Sequence, residues 1–378
     1  MSRRASTGIA PVALTARAGG PLHVLVVDDS AVVRQTLTQL FALEGIEATA
    51  AADPYIAMEK IARRRPDVIV LDLELPRMHG LDFLAKLMEE DPIPVVICSA
   101  MSGGDTHLAM RALEQGALAV VTKPRIAIRE FLHESAVVLL DAVRGAAQAR
   151  VGKRRPAPSP RLTADVVLPP RPGPGAAALP ADRIVAIGAS TGGTEALTVL
   201  LQAMPPDGPG IVAVLHMPEG FTAAFADRLR GLCPMDVREA AEGDRVRPGV
   251  ALIAPGNRHA LVRRRGGGFA IELSDGPLVS RHRPSVDVLF RSVAQAAGSS
   301  AVGVLMTGMG DDGARGLLEM REAGAATLAQ DEASCVVFGM PREAIARGAV
   351  EEVVGLDRLP SAILQRAARG PAGPRGRA

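Results

Sequence analysis

Residues His23–Ala51 read HVLVVDDSAVVRQTLTQLFALEGIEATAA. The apolar run HVLVV stops at two carboxylates, Asp28 and Asp29. An amphipathic stretch follows and ends at Gly45, a helix-stop residue because it accepts the left-handed backbone. A weaker apolar run lies at Glu47–Ala52. Strand, helix and strand in this order predict a βαβ unit with parallel strands. The alternation continues through DVIVLDL (Asp67–Leu73), PVVICSA (Pro94–Ala100) and ALAVVTKP (Ala117–Pro124), so residues 22–140 are expected to form one doubly wound α/β domain.

The chain of 378 residues is long enough for a second domain. Aromatic residues make up 2% of it, so the cores must be filled by Val, Leu, Ile, Ala and Met, as buried parallel sheets are. The same scarcity argues against base-stacking platforms, and a net charge of +2 leaves no global basic footprint; no nucleic-acid partner is expected. Cys98, Cys233 and Cys335 lie far apart without metal spacing, which fits reduced thiols in a cytoplasmic protein. No apolar stretch reaches spanning length, so direct membrane insertion is not expected. Residues 1–21 and 367–378 read as flexible tails, the first rather than a signal peptide because Pro11 interrupts its short apolar run. Residues 145–182, rich in Pro, Ala, Gly and Arg without apolar period, read as a semi-extended linker.

A second α/β pattern occupies residues 183–366. RIVAIG, GIVAVLH, ALIAPG, SAVGVLMTG and AATLAQD read as strands, most followed by helix-like sequence. HALVRR and FAIELSD, joined by the glycines of RRRGGGF, predict an antiparallel hairpin beside a mainly parallel, doubly wound sheet.

In the first domain Asp28, Asp29 and Asp72 fall at ends of apolar strands, where ligand chemistry collects in such sheets. Three gathered carboxylates repel one another unless a divalent cation joins them, and oxygen-only ligation suits Mg2+. Ser99 supplies a hydroxyl and Lys123 an ammonium at two further strand ends. Such a set can position a phosphoryl group. A lone strand-end Asp is usually a turn residue; five matching positions in order make that reading improbable.

VVDDS, LDLELPRMHG, Ser99–Ala100 and Lys123–Pro124 together resemble the receiver domain of two-component response regulators. The resemblance implies a flavodoxin-like fold with a five-stranded parallel sheet of order 2-1-3-4-5. It implies phosphorylation at Asp72, Mg2+ held by Asp28, Asp29 and Asp72, phosphoryl contacts from Ser99 and Lys123, and a histidine kinase as phosphodonor. Two positions depart from the family pattern: His79 stands where an Asp is usual, a mild loop change, and Val120 stands where an aromatic switch residue is common.

In the second domain RIVAIG runs into Gly188-Ala-Ser-Thr-Gly-Gly193. A tight strand-to-helix turn would expose Ser190 at a helix N-terminus, where backbone N–H groups stabilise an oxyanion. Gly-rich turns also cradle phosphates, so by itself the turn leaves both readings open, the nucleotide loop slightly ahead. His216 ends GIVAVLH, and Asp311 and Asp312 follow SAVGVLMTG. A serine nucleophile needs a base and a carboxylate to fix that base's tautomer, and three strand ends of one sheet deliver such a set. His259 and His282 compete as the base, but neither ends a central apolar strand.

IGASTGGTEA, HMPEGFTAAFADRL, IAPGNRH, DGPLVSRHRPSVDVLF, TGMGDDG and QDEASCVVFGMP, in that order, resemble the catalytic domain of chemotaxis protein-glutamate methylesterases of the CheB type. By that resemblance the triad is Ser190, His216 and Asp312, with Thr191 and Met309 in support through their backbone N–H groups and no cofactor in the esterase site. The implied substrate is the γ-methyl ester of glutamate on methyl-accepting chemotaxis receptors, with glutamine deamidation as a second activity. Arg281, His282 and Arg283 are candidates for steering acidic receptor helices, against a solvated basic loop. The rival reading is a non-enzymatic response regulator with a nucleotide- or protein-binding output domain, which has no need of a Ser/His/Asp set. A DNA-binding regulator ranks last, since no helix-turn-helix with a basic recognition helix is apparent.

Overall fold

The computed structural model describes residues 21–99, 103–123, 129–149 and 183–368. The expected N-terminal tail (except Pro21), Ala100, Pro124, nearly all of the expected linker and the C-terminal tail beyond 368 lie outside the described residues.

The first sheet contains β1 (His23–Val27), β2 (Glu47–Ala51), β3 (Val68–Leu71), β4 (Val95–Ser99) and β5 (Ala119–Thr122). Every pairing is parallel and the order is β2-β1-β3-β4-β5, as a receiver fold requires. Strands β1, β3 and β4 are buried along their whole length, which is why each reads as an unbroken apolar run. The weaker run is the edge strand β2, where only Ala51 is fully buried. Helices α1 (Ala31–Leu43), α2 (Pro54–Arg63), α3 (Gly80–Glu90), α4 (Gly103–Glu114) and α5 (Arg129–Gln148) complete the layer structure. Ser30 caps α1 through the Val33 N–H, and Asp53 caps α2 ahead of Pro54 at its first turn. His79 caps α3, its Nδ1 accepting from the Leu81 N–H at 3.3 Å, so this departure from Asp preserves the local acceptor.

Helix α5 runs eight residues past the expected domain end at 140 and takes in 145–148 of the expected linker. The physical reason is burial: Val143, Ala146 and Ala147 pack into the core, so the Ala-rich segment keeps helical period where composition suggests linker.

The second sheet is seven-stranded and wholly parallel, in the order β15-β14-β13-β6-β7-β10-β8. It consists of β6 (Ile184–Ala189), β7 (Gly210–Leu215), β8 (Asp236–Glu239), β10 (Val250–Ile253), β13 (Ala301–Leu305), β14 (Ala326–Gln330) and β15 (Glu352–Val354). A three-stranded antiparallel sheet joins β9 (Arg245–Val246), β11 (His259–Arg265) and β12 (Gly268–Ser274), the last two forming the expected hairpin. Helices α6 (Gly193–Gln202), α7 (Phe221–Leu232), α8 (Val286–Ala297), α9 (Ala314–Glu322), α10 (Met340–Ala346) and α11 (Leu359–Ala368) surround them; α11 extends two residues past the expected end at 366 because Ala367 is buried. The chain leaves β6 for β7 on one side and returns to β13 on the other. The carboxyl ends of β6, β7 and β13 therefore flank a topological switch point, the crevice where open α/β sheets bind ligands.

The two domains touch. Arg228 on α7 pairs with Glu114 on α4 at 2.7 Å, and the Gly192 N–H donates to the Leu118 carbonyl at 3.4 Å. Buried apolar side chains run without a break from Met110 and Val120 to Leu197 and Phe225.

Candidate functional site

Ser190 lies between the end of β6 and the start of α6, in a turn closed by a hydrogen bond from the Gly193 N–H to the Ser190 carbonyl at 2.7 Å. Gly192 takes φ +77°, which a side chain resists, so the turn is tight enough to hold Ser190 in the crevice. The end of β13 clamps this turn: Ser190 N–H donates to the Thr307 carbonyl and the Thr307 hydroxyl donates to the Thr191 carbonyl, both at 3.0 Å. Thr307 is itself fixed by Gln330, whose Oε1 accepts from its N–H at 2.9 Å. Among the described residues the N–H groups of Thr191 and Met309 have no hydrogen-bond partner.

His216 directly follows β7, and its Nε2–H donates to Asp312 Oδ2 at 2.8 Å. Its buried Nδ1 has no partner. The carboxylate thus sets the tautomer, protonated at Nε2 with the Nδ1 lone pair free. Ser190, His216, Thr191 and Met309 line one pocket of about 50 Å³. No hydrogen bond joins Ser190 Oγ to His216 Nδ1; a nucleophile–base contact of this kind tightens as substrate binds.

Asp312 is 2% exposed and fully engaged. Besides His216 it accepts from the Ser285 hydroxyl at 2.7 Å, the Val286 N–H at 2.7 Å and the Asp287 N–H at 3.0 Å. Burial pushes this carboxyl up, but His216, Ser285 and the Asp287 N–H outweigh it and hold the group below the usual carboxylate range. Asp311 is exposed, and its carboxylate pairs with Arg347 at 3.4 Å. The adjacent acids are thereby told apart.

The two competing histidines have separate places. His259 is buried, with Nε2–H donating to the Pro277 carbonyl at 2.9 Å and Nδ1 accepting from the Ser285 N–H at 3.2 Å. It fixes the segment that delivers Ser285 to Asp312. His282 stacks on His216, ring centroids 3.6 Å apart and planes 10° from parallel. Burial first, then the neighbouring His216, holds its imidazole well below the ordinary value, so a neutral ring supports the plane of His216. Sequence reasoning left His282 in a basic loop because it follows no central strand. Ser285, Thr307, Gln330 and Asp287, which accepts from the Gly313 and Gly316 N–H groups at the start of α9, were missed altogether. The first position of TGMGDDG and the Gln330–Asp331 pair at the end of β14 carried a signal for two of them.

Helix α5 of the first domain lies across this crevice. Val138, Asp141 and Ala142 line the Ser190 pocket, and a side-chain carbon on Gly145 would come within 2.9 Å of Thr191 Oγ1 and 3.2 Å of Met309 Cβ. Val120 lines the same pocket.

At the carboxyl edge of the first sheet, Asp28 (2% exposed) and Asp72 (3%) are buried and Asp29 is exposed. One carboxylate oxygen from each lies within 4.8 Å of the others. Lys123 Nζ bridges Asp72 Oδ2 at 2.6 Å and Asp28 Oδ2 at 2.9 Å. Burial opposes its charge, but hydrogen bonds to both acids prevail and raise its pKa. Burial pushes the Asp72 carboxyl up to about 6 against the pull of Lys123. Ser99 ends β4 beside Lys123, whose N–H donates to the Ser99 carbonyl at 2.9 Å.

Residues 185–363 match the CheB methylesterase family, and residues 24–134 match the response regulator receiver domain family. A protein-glutamate methylesterase/protein-glutamine glutaminase of Anaeromyxobacter dehalogenans is 59% identical over 91% of this chain and 96% of its own. One from Geobacter metallireducens is 55% identical over 91% of this chain and 98% of its own. Among solved structures, the catalytic domain of Thermotoga maritima CheB methylesterase is 35% identical, with TM-score 0.48 over 49% of this chain and 99% of that one.

Proposed function

The chain belongs to the CheB methylesterase family, with a receiver domain ahead of the catalytic domain, and from that premise we propose how it acts. It is a protein-glutamate methylesterase and protein-glutamine glutaminase, a hydrolase of chemotaxis-type signalling. Its substrates are side chains of chemotaxis receptors in the cytoplasm, and a histidine kinase supplies its phosphoryl group. No helix among the described residues is long and apolar enough to cross a membrane. The observation that carries the reading is the Asp312–His216 pair in one crevice with Ser190, its free imidazole nitrogen unpaired. A nucleotide-binding output domain has no use for that arrangement.

Ser190 Oγ attacks the ester carbonyl while His216 Nδ1 takes its proton. Asp312 stabilises the imidazolium through Nε2–H without accepting the proton itself. The N–H groups of Thr191 and Met309 donate to the tetrahedral oxyanion. As the C–O bond breaks, the proton on Nδ1 passes to departing methanol. Water, deprotonated by the same nitrogen, then attacks the acyl-enzyme, releasing the glutamate carboxylate and restoring Ser190. An amide carbonyl is less electrophilic and its nitrogen must be protonated to leave, so deamidation is the slower reaction. Incubation with methyl-labelled receptor is expected to release labelled methanol; none above a heat-inactivated control would refute the reading.

Asp72 is the phosphoacceptor, its oxygen attacking the donor phosphorus as the kinase histidine leaves. The oxygen-only set Asp28, Asp29 and Asp72 fits Mg2+, whose bound charge offsets that of the incoming phosphoryl group. Lys123 and Ser99 are placed to contact the phosphoryl oxygens. In the unphosphorylated state the receiver restrains the esterase, because α5 lies over Thr191 and Met309. Gly145→Val overpacks that contact by about 1–3 kcal/mol. Its unphosphorylated methanol release is therefore expected to rise by about fivefold or more, and an unchanged rate in a folded variant would refute restraint through α5.

A further inference from the structure

We propose that α5 is a built-in substrate mimic: Asp141 occupies at Arg281 the place taken by a carboxylate on the receptor's helical segment about one turn from the ester. This rests on the esterase reading above and names how the same site recognises its substrate.

Arg281 Nη1 stands 3.5 Å from Asp141 Oδ1, the one ion pair of Arg281 among the described residues. Its side chain is 58% exposed while that of Asp141 is 15% exposed, so the acid is the buried partner and the cation faces the mouth of the crevice. Arg281 lines a pocket of about 160 Å³ that adjoins His216 and continues under the receiver at Val121 and Val138. The basic triplet has divided its labour. Arg283 is committed to Asn257 Oδ1 at 2.7 Å and the Gly276 carbonyl at 2.9 Å, and His282 is stacked on His216. Of the three, Arg281 is the one whose ion pair among the described residues lies with the receiver and not with the catalytic domain.

The turn that presents it is built for the purpose. Ser280 and Arg281 both take positive φ, +50° and +69°, between reciprocal backbone hydrogen bonds of Val279 and His282. Non-glycine residues held in that region store strain, a pattern that clusters at functional sites.

The third strand of the argument is helical spacing. Val138, Asp141, Ala142 and Gly145 stand at i, i+3, i+4 and i+7, which is one face of a helix. That face puts Gly145 against Thr191 and Met309 and Asp141 against Arg281. Where a substrate helix would carry its esterified side chain, α5 carries glycine, so it fits without presenting a bond to cleave. One turn away it carries the carboxylate. A receptor segment with an acid about one turn from the esterified glutamate offers the same two features in reactive form.

The test uses the full chain and two substrates, methylated receptor and the uncharged N-acetylglutamate γ-methyl ester α-amide. Arg281→Ala removes both the restraint and the recognition. Its rate on the neutral ester is expected to rise about two- to fivefold, the range of a partly exposed ion pair. Its kcat/KM on receptor is expected to fall roughly tenfold, as for loss of a charged hydrogen bond. Asp141→Ala, which removes the mimic alone, is expected to raise both rates. Opposite movement for Arg281→Ala with joint rise for Asp141→Ala establishes the proposal. Movement of both substrates in the same direction for Arg281→Ala, or no movement in either variant, overturns it while leaving the esterase reading intact. A wild-type chain that releases no methanol from receptor overturns that reading and this proposal with it.

Discussion

Replacing Ser190 or His216 with alanine is expected to lower methanol release by roughly four to six orders of magnitude, and Asp312 by about four. Members of a triad act as a unit, so each single loss approaches the loss of all three. The smaller figure for Asp312 follows from its role: it orients His216 and stabilises the imidazolium but touches neither substrate nor nucleophile. Asp312→Ala also strands the Ser285 hydroxyl and two backbone N–H groups in a buried place. Each unsatisfied donor costs about 1–3 kcal/mol, so a stability measurement must accompany the kinetics. Asp312→Asn keeps the volume and separates the two effects. Asp311→Ala, at an exposed carboxylate, is expected to change the rate by no more than about twofold. A damaging Asp311→Ala beside a mild Asp312→Ala would reverse the assignment, and a Ser190→Ala protein near wild-type rate would abolish it.

The fold was legible where strands are buried on both faces. Runs such as Ile184–Ala189 and Gly210–Leu215 are apolar throughout because helices cover both sides of the sheet. Strands β8, β9 and β15 carry Asp236, Arg238, Arg245 and Glu352 and leave no such run; β8 and β15 are sheet edges. The strand-end chemistry of the site was equally legible, since order along a doubly wound sheet places carboxyl ends together. What escaped was whatever depends on turns and on the meeting of domains. His282 reaches His216 through a turn with two left-handed residues, which no periodicity announces. Gly145 reads as the start of a linker, and its smallness acquires meaning only when α5 lies against Thr191. Asp141 falls just past the expected domain end at 140 and carries no assignment in the sequence; it acquires one only where the other domain brings Arg281 to it.

Acetyl phosphate with Mg2+ is expected to label the wild-type chain and leave Asp72→Asn unlabelled, with chelation of the metal abolishing labelling in the wild type as well. The expectation follows from crowding of charge: Asp28, Asp29 and Asp72 supply three carboxylate oxygens within 4.8 Å, and a phosphoryl group adds further negative charge. Lys123 offsets part of it, bridging Asp72 and Asp28. The same treatment should raise methanol release by wild type and not by Asp72→Asn. Its size is bounded by the interface that must open. That interface includes the Arg228–Glu114 and Arg281–Asp141 pairs and the Gly192–Leu118 hydrogen bond. Partly exposed pairs of this kind contribute about 0.2–1 kcal/mol each. A closed population near 99% corresponds to a bias of about 2.7 kcal/mol and allows at most about a hundredfold gain. Complete inversion to 99% open would need about 5.5 kcal/mol, more than one phosphoryl group displacing Lys123 should deliver. Partial activation is therefore the expected result. Equal labelling of wild type and Asp72→Asn would remove Asp72 from the mechanism, and stimulation of Asp72→Asn by acetyl phosphate would show that the esterase is released by another route.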